Sequence, residues 1–283
     1  MAHPLKIPAK VIKSLKLAYK TWRLHRTQPL RLEFVVTDTC NLNCKGCTHY
    51  SPLAPKEFES LEAMTRRMAH LGEVCGNEVK MAYLIGGETL LYPWLVESME
   101  RLRECFPTQK LCVFTNGIAL PKMTEDFWEA ARKYDYVISL TRYPISFDYD
   151  AVEELCRENG VKVEIFGDRS KHNSFFRFTL DPEKKQNGRI SHFKCYNRGC
   201  ISVVGERVYP CSISGCVGHL NKAKGTDFKH EPGDWIEVKD VKSAKDIYRL
   251  RDRVAPFCSY CILPPDIVKH GPSSRDVSEW VKC

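Results

Sequence analysis

The stretch Leu32-Glu33-Phe34-Val35-Val36-Thr37-Asp38-Thr39-Cys40-Asn41-Leu42-Asn43-Cys44-Lys45-Gly46-Cys47 decides how the rest of the chain is read. Residues 32–37 alternate and are rich in β-branched and aromatic side chains, which predicts a strand. Three thiols follow within eight residues, spaced CxxxCxxC. Thiolates suit iron–sulfur clusters and zinc. Three local ligands around a four-iron cube leave one iron without a protein ligand, and an open position is what a metal centre needs for chemistry. A three-cysteine share of a zinc site is the alternative at this point.

Downstream of this loop a strand–helix rhythm repeats. A helix is expected from Lys56 to Glu73, a strand from Met81 to Ile85 ending in Gly86-Gly87, and a helix from Pro93 to Cys105. Further strands are expected at Leu111–Phe114, Tyr136–Leu140 and Val161–Phe166, with helices at Glu125–Lys133 and Tyr149–Asn159 between them. Short buried strands alternating with helices imply parallel βαβ units. The pattern predicts an α/β barrel or open sheet without choosing between them. Functional loops of such folds lie at the carboxyl ends of strands, which is where the thiols stand.

The CxxxCxxC motif after the first strand resembles that of the radical S-adenosylmethionine (SAM) superfamily, over roughly residues 30–190. The resemblance implies an α/β partial (β/α)6 barrel with a small cysteine-rich C-terminal module. It also implies a [4Fe–4S] cluster on Cys40, Cys44 and Cys47 that binds SAM. Reduction would then cleave SAM to a 5′-deoxyadenosyl radical that abstracts hydrogen from a substrate, with flavodoxin or ferredoxin as electron donor. Gly46 departs from the pattern, since an aromatic residue is common there. Gly86-Gly87-Glu88 resembles the family motif that receives the SAM amino group. Thr115 and Asn116 end the third strand, and Ser139 and Arg142 near the end of the fourth are implied contacts to the SAM ribose or carboxylate.

Beyond about Asp168 the rhythm breaks. Residues 169–188 are polar without clear periodicity, short β-like pieces occur at Ile201–Val204 and Arg207–Tyr209, and one helix is expected at Ser243–Val254 before a loop-like tail. Cys195, Cys200, Cys211, Cys216, Cys258, Cys261 and Cys283 fall in this part. Their order resembles the twitch or SPASM extensions that hold an auxiliary iron–sulfur cluster, although five residues rather than four separate Gly205 from Cys211. The resemblance favours an auxiliary [4Fe–4S] cluster on four of Cys195, Cys200, Cys211, Cys258 and Cys261, with Cys200 as substitute for Cys195; a four-cysteine zinc site is the alternative. Cys216 is the candidate hydrogen donor for an epimerisation. Cys75, Cys105, Cys112 and Cys156 fall in helices or strands and read as buried apolar residues.

The chain of 283 residues, with 43% apolar and 28% charged residues, reads as a soluble globular protein, and we expect it in the cytoplasm. Fourteen cysteines without a secretory signal point to metal or redox chemistry rather than disulfides. The net charge of +8 belongs to residues 1–31, which hold eight Lys or Arg and no acid; what remains has 35 of each sign. This neutral body argues against nucleic acid as a partner and against a zinc-stabilised nucleic-acid-binding protein. Residues 9–26 pattern as a basic amphipathic helix that either packs on the main domain or touches a membrane surface or partner. The expected domains are 1–29, 30–190 and 191–283. The segment Cys47-Thr-His-Tyr-Ser-Pro-Leu-Ala54 resembles radical SAM proteins of saccharide and glycoconjugate biosynthesis, which favours dehydrogenation or epimerisation of a sugar-containing or other small metabolite. Peptide modification is the competing class, since twitch and SPASM modules are frequent there.

Overall fold

A computed structural model of the chain describes residues 29–167 and 174–283. The amphipathic helix expected at 9–26 lies outside them. The first half alternates as expected: β1 (Leu30–Thr37), α1 (Leu61–Cys75), β2 (Val79–Gly86), α2 (Leu95–Cys105), β3 (Lys110–Thr115), α3 (Glu125–Lys133), β4 (Tyr136–Leu140), α4 (Tyr149–Glu158) and β5 (Lys162–Ile165). Two helices start later than their apolar pattern suggested. Residues 57–60 are drawn out beside β1, with Glu59 N–H donating to Val36 O (3.1 Å), so α1 begins only after Ser60, whose hydroxyl accepts from Ala63 N. Pro93 and Trp94 form a turn, so α2 begins only at Leu95.

The second half comprises β6 (Ser174–Leu180), α5 (Gly188–Lys194), β7 (Ile201–Val204), β8 (Arg207–Tyr209), α6 (Ser212–Lys224), β9 (Ile236–Glu237), α7 (Ala244–Asp252) and β10 (Cys261–Lys269). The main sheet runs β5-β4-β3-β2-β1-β7-β8-β9, with β1 to β5 and β7 parallel, so the fold is an open, partial α/β barrel. The sixth parallel strand is not the successor of β5. It is β7, which pairs with the other side of β1, while β6 leaves the sheet to pair antiparallel with β10. Strand β5 has no fully buried residue, as befits an edge, whereas seven of the eight residues of β1 are buried. Strand β7, which lies beyond residue 190, is thus part of the main sheet.

Leu30, Leu32, Phe34 and Val36 project from β1 to one side, into a core with Met64, Met68 and Leu71 of α1. The opposite face of the sheet carries a smaller cluster of Tyr83, Cys112 and Val137. A second large core gathers Tyr50 from beyond the cysteine loop with Phe178, Leu180, Ile213, Val217, Phe257 and Trp280. The loop after β1 is thus packed from below by the sheet and from one side by the C-terminal part of the chain. Cys75, Cys112 and Cys156 are buried in these layers, and Cys105 is partly buried beside them.

Candidate active site

The carboxyl ends of β1, β2 and β3 meet at one place. Gly86 and Gly87 are required there by close approach. A Cβ on Gly86 would stand 2.0 Å from Thr37 O, and one on Gly87 would stand 2.5 Å from both Asp38 O and Thr39 O. The contact lets Gly87 N–H donate to Thr37 O (2.8 Å) and Glu88 N–H to Thr39 O (2.9 Å), which fixes the start of the cysteine loop on β2.

Glu88 is 1% exposed and its carboxylate is heavily used. Oε1 accepts from Leu90 N (3.0 Å) and the Thr115 hydroxyl (2.7 Å), and Oε2 accepts from Asn116 N (2.8 Å). Burial pushes its carboxyl above the usual range although these donors pull the other way. The Asn116 side-chain amide then donates to Asn41 Oδ1 (2.7 Å), extending the hydrogen-bonded chain into the cysteine loop. Asn41, a residue the sequence did not single out, thereby ties the loop to β3. Ser139 is buried on the same strand face as Val137 and lies opposite Phe114 in β3 and Glu164 in β5. Arg142 is committed elsewhere: its Nε donates to Glu153 Oε1 (2.9 Å), and its terminal nitrogen pairs with Asp150 and Glu153 of α4. A new carboxylate at Arg142 would have to compete with two that are already bound.

Burial pushes the Cys40 and Cys44 thiols up to about 12, with Cys47 adding to both, and Cys47 itself is raised by burial. Ligation needs the deprotonated sulfurs, so a cationic centre must offset this cost. The loop is clamped by a tail that the sequence suggested to be loop-like. Lys45 N donates to Gly271 O (2.9 Å), Ser273 N to Asn43 O (2.7 Å), and Trp280 Nε1 to Cys47 O (2.9 Å). His270 Nε2 stands 3.4 Å from Cys44 Sγ. Gly46 adopts φ +69°, a left-handed conformation that favours glycine, and the Arg177 side chain fills the space where its Cβ would be.

A second cavity lies among α5, α6 and the Pro256–Ser259 turn, lined by Cys195, Cys211, Cys258 and Cys261. Cys200 does not line it and instead sits near buried Glu33, with its thiol raised chiefly by burial. Arg198 also faces the cavity; it is 5% exposed, and among the described residues its Nε and Nη1 have no hydrogen-bond partner. A buried guanidinium of this kind fits an anionic neighbour, such as a metal centre carrying four thiolates.

Between these two places, Cys216 of α6 is 2% exposed and faces Asp38 Oδ1 and His49 Nδ1, each 3.8 Å from its sulfur. Asp38 Oδ2 accepts from His219 Nε2 (2.8 Å). Burial alone would raise the Asp38 carboxyl, but hydrogen bonds from His219 and His49 hold it down at about 2. A thiol enclosed by these groups differs from the open donor that hydrogen return to a substrate radical requires. Among the described residues, only Asp38, His49 and Cys216 bring three metal-ligating atoms within 4.8 Å of one another.

Residues 34–165 match the family model of the Radical SAM superfamily. The chain is 28% identical over 135 residues to a GTP 3′,8-cyclase of Helicobacter pylori (strain HPAG1), covering 47% of this chain and 40% of the relative. It is 25% identical over 152 residues to the GTP 3′,8-cyclase of Alkaliphilus oremlandii (strain OhILAs), covering 53% and 44%. The chain thus spans less than half the length of these curated relatives. Among solved structures, BtrN in complex with AdoMet and 2-DOIA superposes with a TM-score of 0.51 at 15% identity, over 83% of this chain and 93% of that one. That likeness concerns the fold.

Proposed function

We propose that this chain, a radical SAM enzyme through its domain at residues 34–165, dehydrogenates a small hydroxylated metabolite, sugar-containing in kind, using two iron–sulfur centres. Cys40, Cys44 and Cys47 would hold the first cluster, and Cys195, Cys211, Cys258 and Cys261 the second. When bound, the first cluster with SAM supplies one-electron cleavage of the sulfonium and hence hydrogen-atom abstraction from the substrate.

The chain's own residues support this in distinct ways. Glu88, Thr115 and Asn116 hold the turn after β2 against β3 and Asn41, so the floor beneath the cysteine loop is rigid. Gly86 and Gly87 permit the backbone approach on which that floor depends. Ser139 adds a polar group on the inner face of β4. Trp280 and residues 271–273 cover the loop from the other side.

The observation that carries the dehydrogenase reading is the four-thiol cavity with Arg198, whose Nε and Nη1 have no hydrogen-bond partner among the described residues. A second redox centre gives the electron of a substrate radical somewhere to go, which dehydrogenation needs. Epimerisation instead needs an accessible thiol, and the enclosure of Cys216 by Asp38 and His49 disfavours it. The hydroxylated, sugar-like substrate class rests on the Cys47–Ala54 segment alone.

Anaerobic reconstitution followed by metal counting tests the two centres: about eight irons per chain are expected, against about four for one cluster. With SAM and reductant, the protein should release 5′-deoxyadenosine, and Cys44→Ala should abolish that release. Zinc in place of iron at the four-thiol cavity would refute the redox role of the second site.

A further inference from the structure

We propose that Asp38, His49 and Cys216 form a mononuclear site for a borderline divalent cation, best matched by zinc, separate from both cysteine sets. The inference goes beyond the dehydrogenase reading and does not depend on it. Three separate segments supply the donors: the end of β1, the turn after Cys47, and the second turn of α6. The Asp38 and His49 side chains are 15% and 10% exposed, and Cys216 is 2% exposed, so all three donors are withdrawn from solvent.

The geometry is that of a single ion. Sγ–Oδ1 and Sγ–Nδ1 are both 3.8 Å, and Nδ1–Oδ1 is 3.5 Å. The point equidistant from these three atoms lies about 2.1 Å from each, within the range of zinc–nitrogen and zinc–oxygen bonds and just short of zinc–sulfur at about 2.3 Å. A shift of the ion slightly out of that plane lengthens all three contacts and creates a fourth coordination position. Three protein donors plus an open position is the composition of catalytic rather than structural zinc sites.

The donor set also selects the metal. One thiolate, one imidazole and one carboxylate suit zinc better than calcium or magnesium, which take oxygen ligands. Support from outside the first ring of ligands is present as well. Asp38 uses Oδ1 toward the proposed ion, while Oδ2 accepts from His219 Nε2 at 2.8 Å. His219 lies three residues after Cys216, nearly one turn along α6, so a single helix provides both a ligand and the group that orients another ligand. In this assignment Cys216 binds a metal instead of returning hydrogen to a substrate.

The test uses the full chain, anaerobically reconstituted, with iron and sulfide counted before zinc sulfate is added and the excess removed. One zinc per chain should be retained. Absorption at the zinc edge should show one sulfur at about 2.3 Å and nitrogen or oxygen neighbours at about 2.0–2.2 Å. Cys216→Ala and His49→Ala should each abolish retention, and His219→Ala should weaken zinc affinity about 10–100-fold without changing the sulfur count. Three results would overturn the proposal: no retained zinc, zinc surrounded by four sulfurs, or zinc held equally by both ligand variants. If a variant does not fold, the wild-type sulfur count decides, because one sulfur and four are readily told apart. Loss of SAM cleavage with zinc retained would bear on the radical reading alone.

Discussion

Replacing Glu88 probes the join between the turn after β2 and the cysteine loop. In Glu88→Gln, the amide oxygen can keep the two donors now at Oε1, Leu90 N–H and the Thr115 hydroxyl. The amide NH2 must then face the backbone N–H of Asn116, which now donates to Oε2. One buried donor is left unsatisfied, at a cost of about 1–3 kcal/mol. Glu88→Ala strands all three donors, and allowing for water entering the space, the loss should be about 4 kcal/mol. At about 2–4 °C per kcal/mol for a domain of 150–250 residues, melting should fall by about 2–12 °C for Gln and about 8–16 °C for Ala. Thermal unfolding of the anaerobic protein measures both, and a cycle with Thr115→Val should give a coupling of about 1 kcal/mol or more. A Glu88→Gln protein that melts within 1 °C of wild type (roughly half of the smallest expected shift) yet loses SAM binding would refute this account. The carboxylate would then serve the ligand and not the turn.

Other outcomes follow from the same geometry. Gly87→Ala places a methyl 2.5 Å from two backbone oxygens; it should release the start of the cysteine loop and lower iron retained after desalting, with thermal stability also reduced. Arg198→Met should act with opposite signs on the two forms. Unfolding should show the metal-free protein stabilised, because a buried guanidinium with two unsatisfied nitrogens is removed, while the loaded protein loses iron from the four-thiol cavity faster. Burial alone would raise Glu279, but the Ser273 and Ser274 donors hold its carboxyl below the usual range. Its contribution is therefore present above the unfolded value of about 4.3 and lost as pH falls through the lower folded value. Glu279→Gln should flatten the acid side of the stability–pH curve, measured by denaturant unfolding between neutral pH and pH 3.

The parallel half of the fold was legible because each buried strand is a short apolar run set off by turn residues. Glu125–Lys133 and Tyr136–Leu140 have the limits that the pattern predicts. β6 was not legible, since its partner β10 lies more than 80 residues away and no local periodicity announces such pairing. α6 left a readable trace. Ile213, Cys216, Val217 and Leu220 stand at i, i+3, i+4 and i+7 and are all buried, but Gly215 and Gly218 gave the segment the look of a turn. Had that helix been recognised, His219 would have fallen beside Cys216. Asp38 and Asn41 lie within the stretch first singled out, yet their partners come from α6 and β3, and only the folded chain brings them together. The four thiols of the second cavity were readable as a set, whereas the separation of Cys200 from them was not.

The clamp on the cysteine loop also has a timetable. Cys47 and Trp280 are 233 positions apart in the chain. At roughly 5–20 residues per second on the ribosome, the loop waits on the order of 10–50 s for the segment that closes over it. During that interval Cys40, Cys44 and Cys47 have emerged, and the sheet on which they stand can already assemble. Cluster delivery has its easiest access then, and so do oxidants and competing metals. Once Trp280 docks on Cys47 O, that contact would slow the exchange of any cluster the loop holds. The order in which the protein is synthesised, as much as its final shape, would thereby set when a cofactor of this loop could be installed.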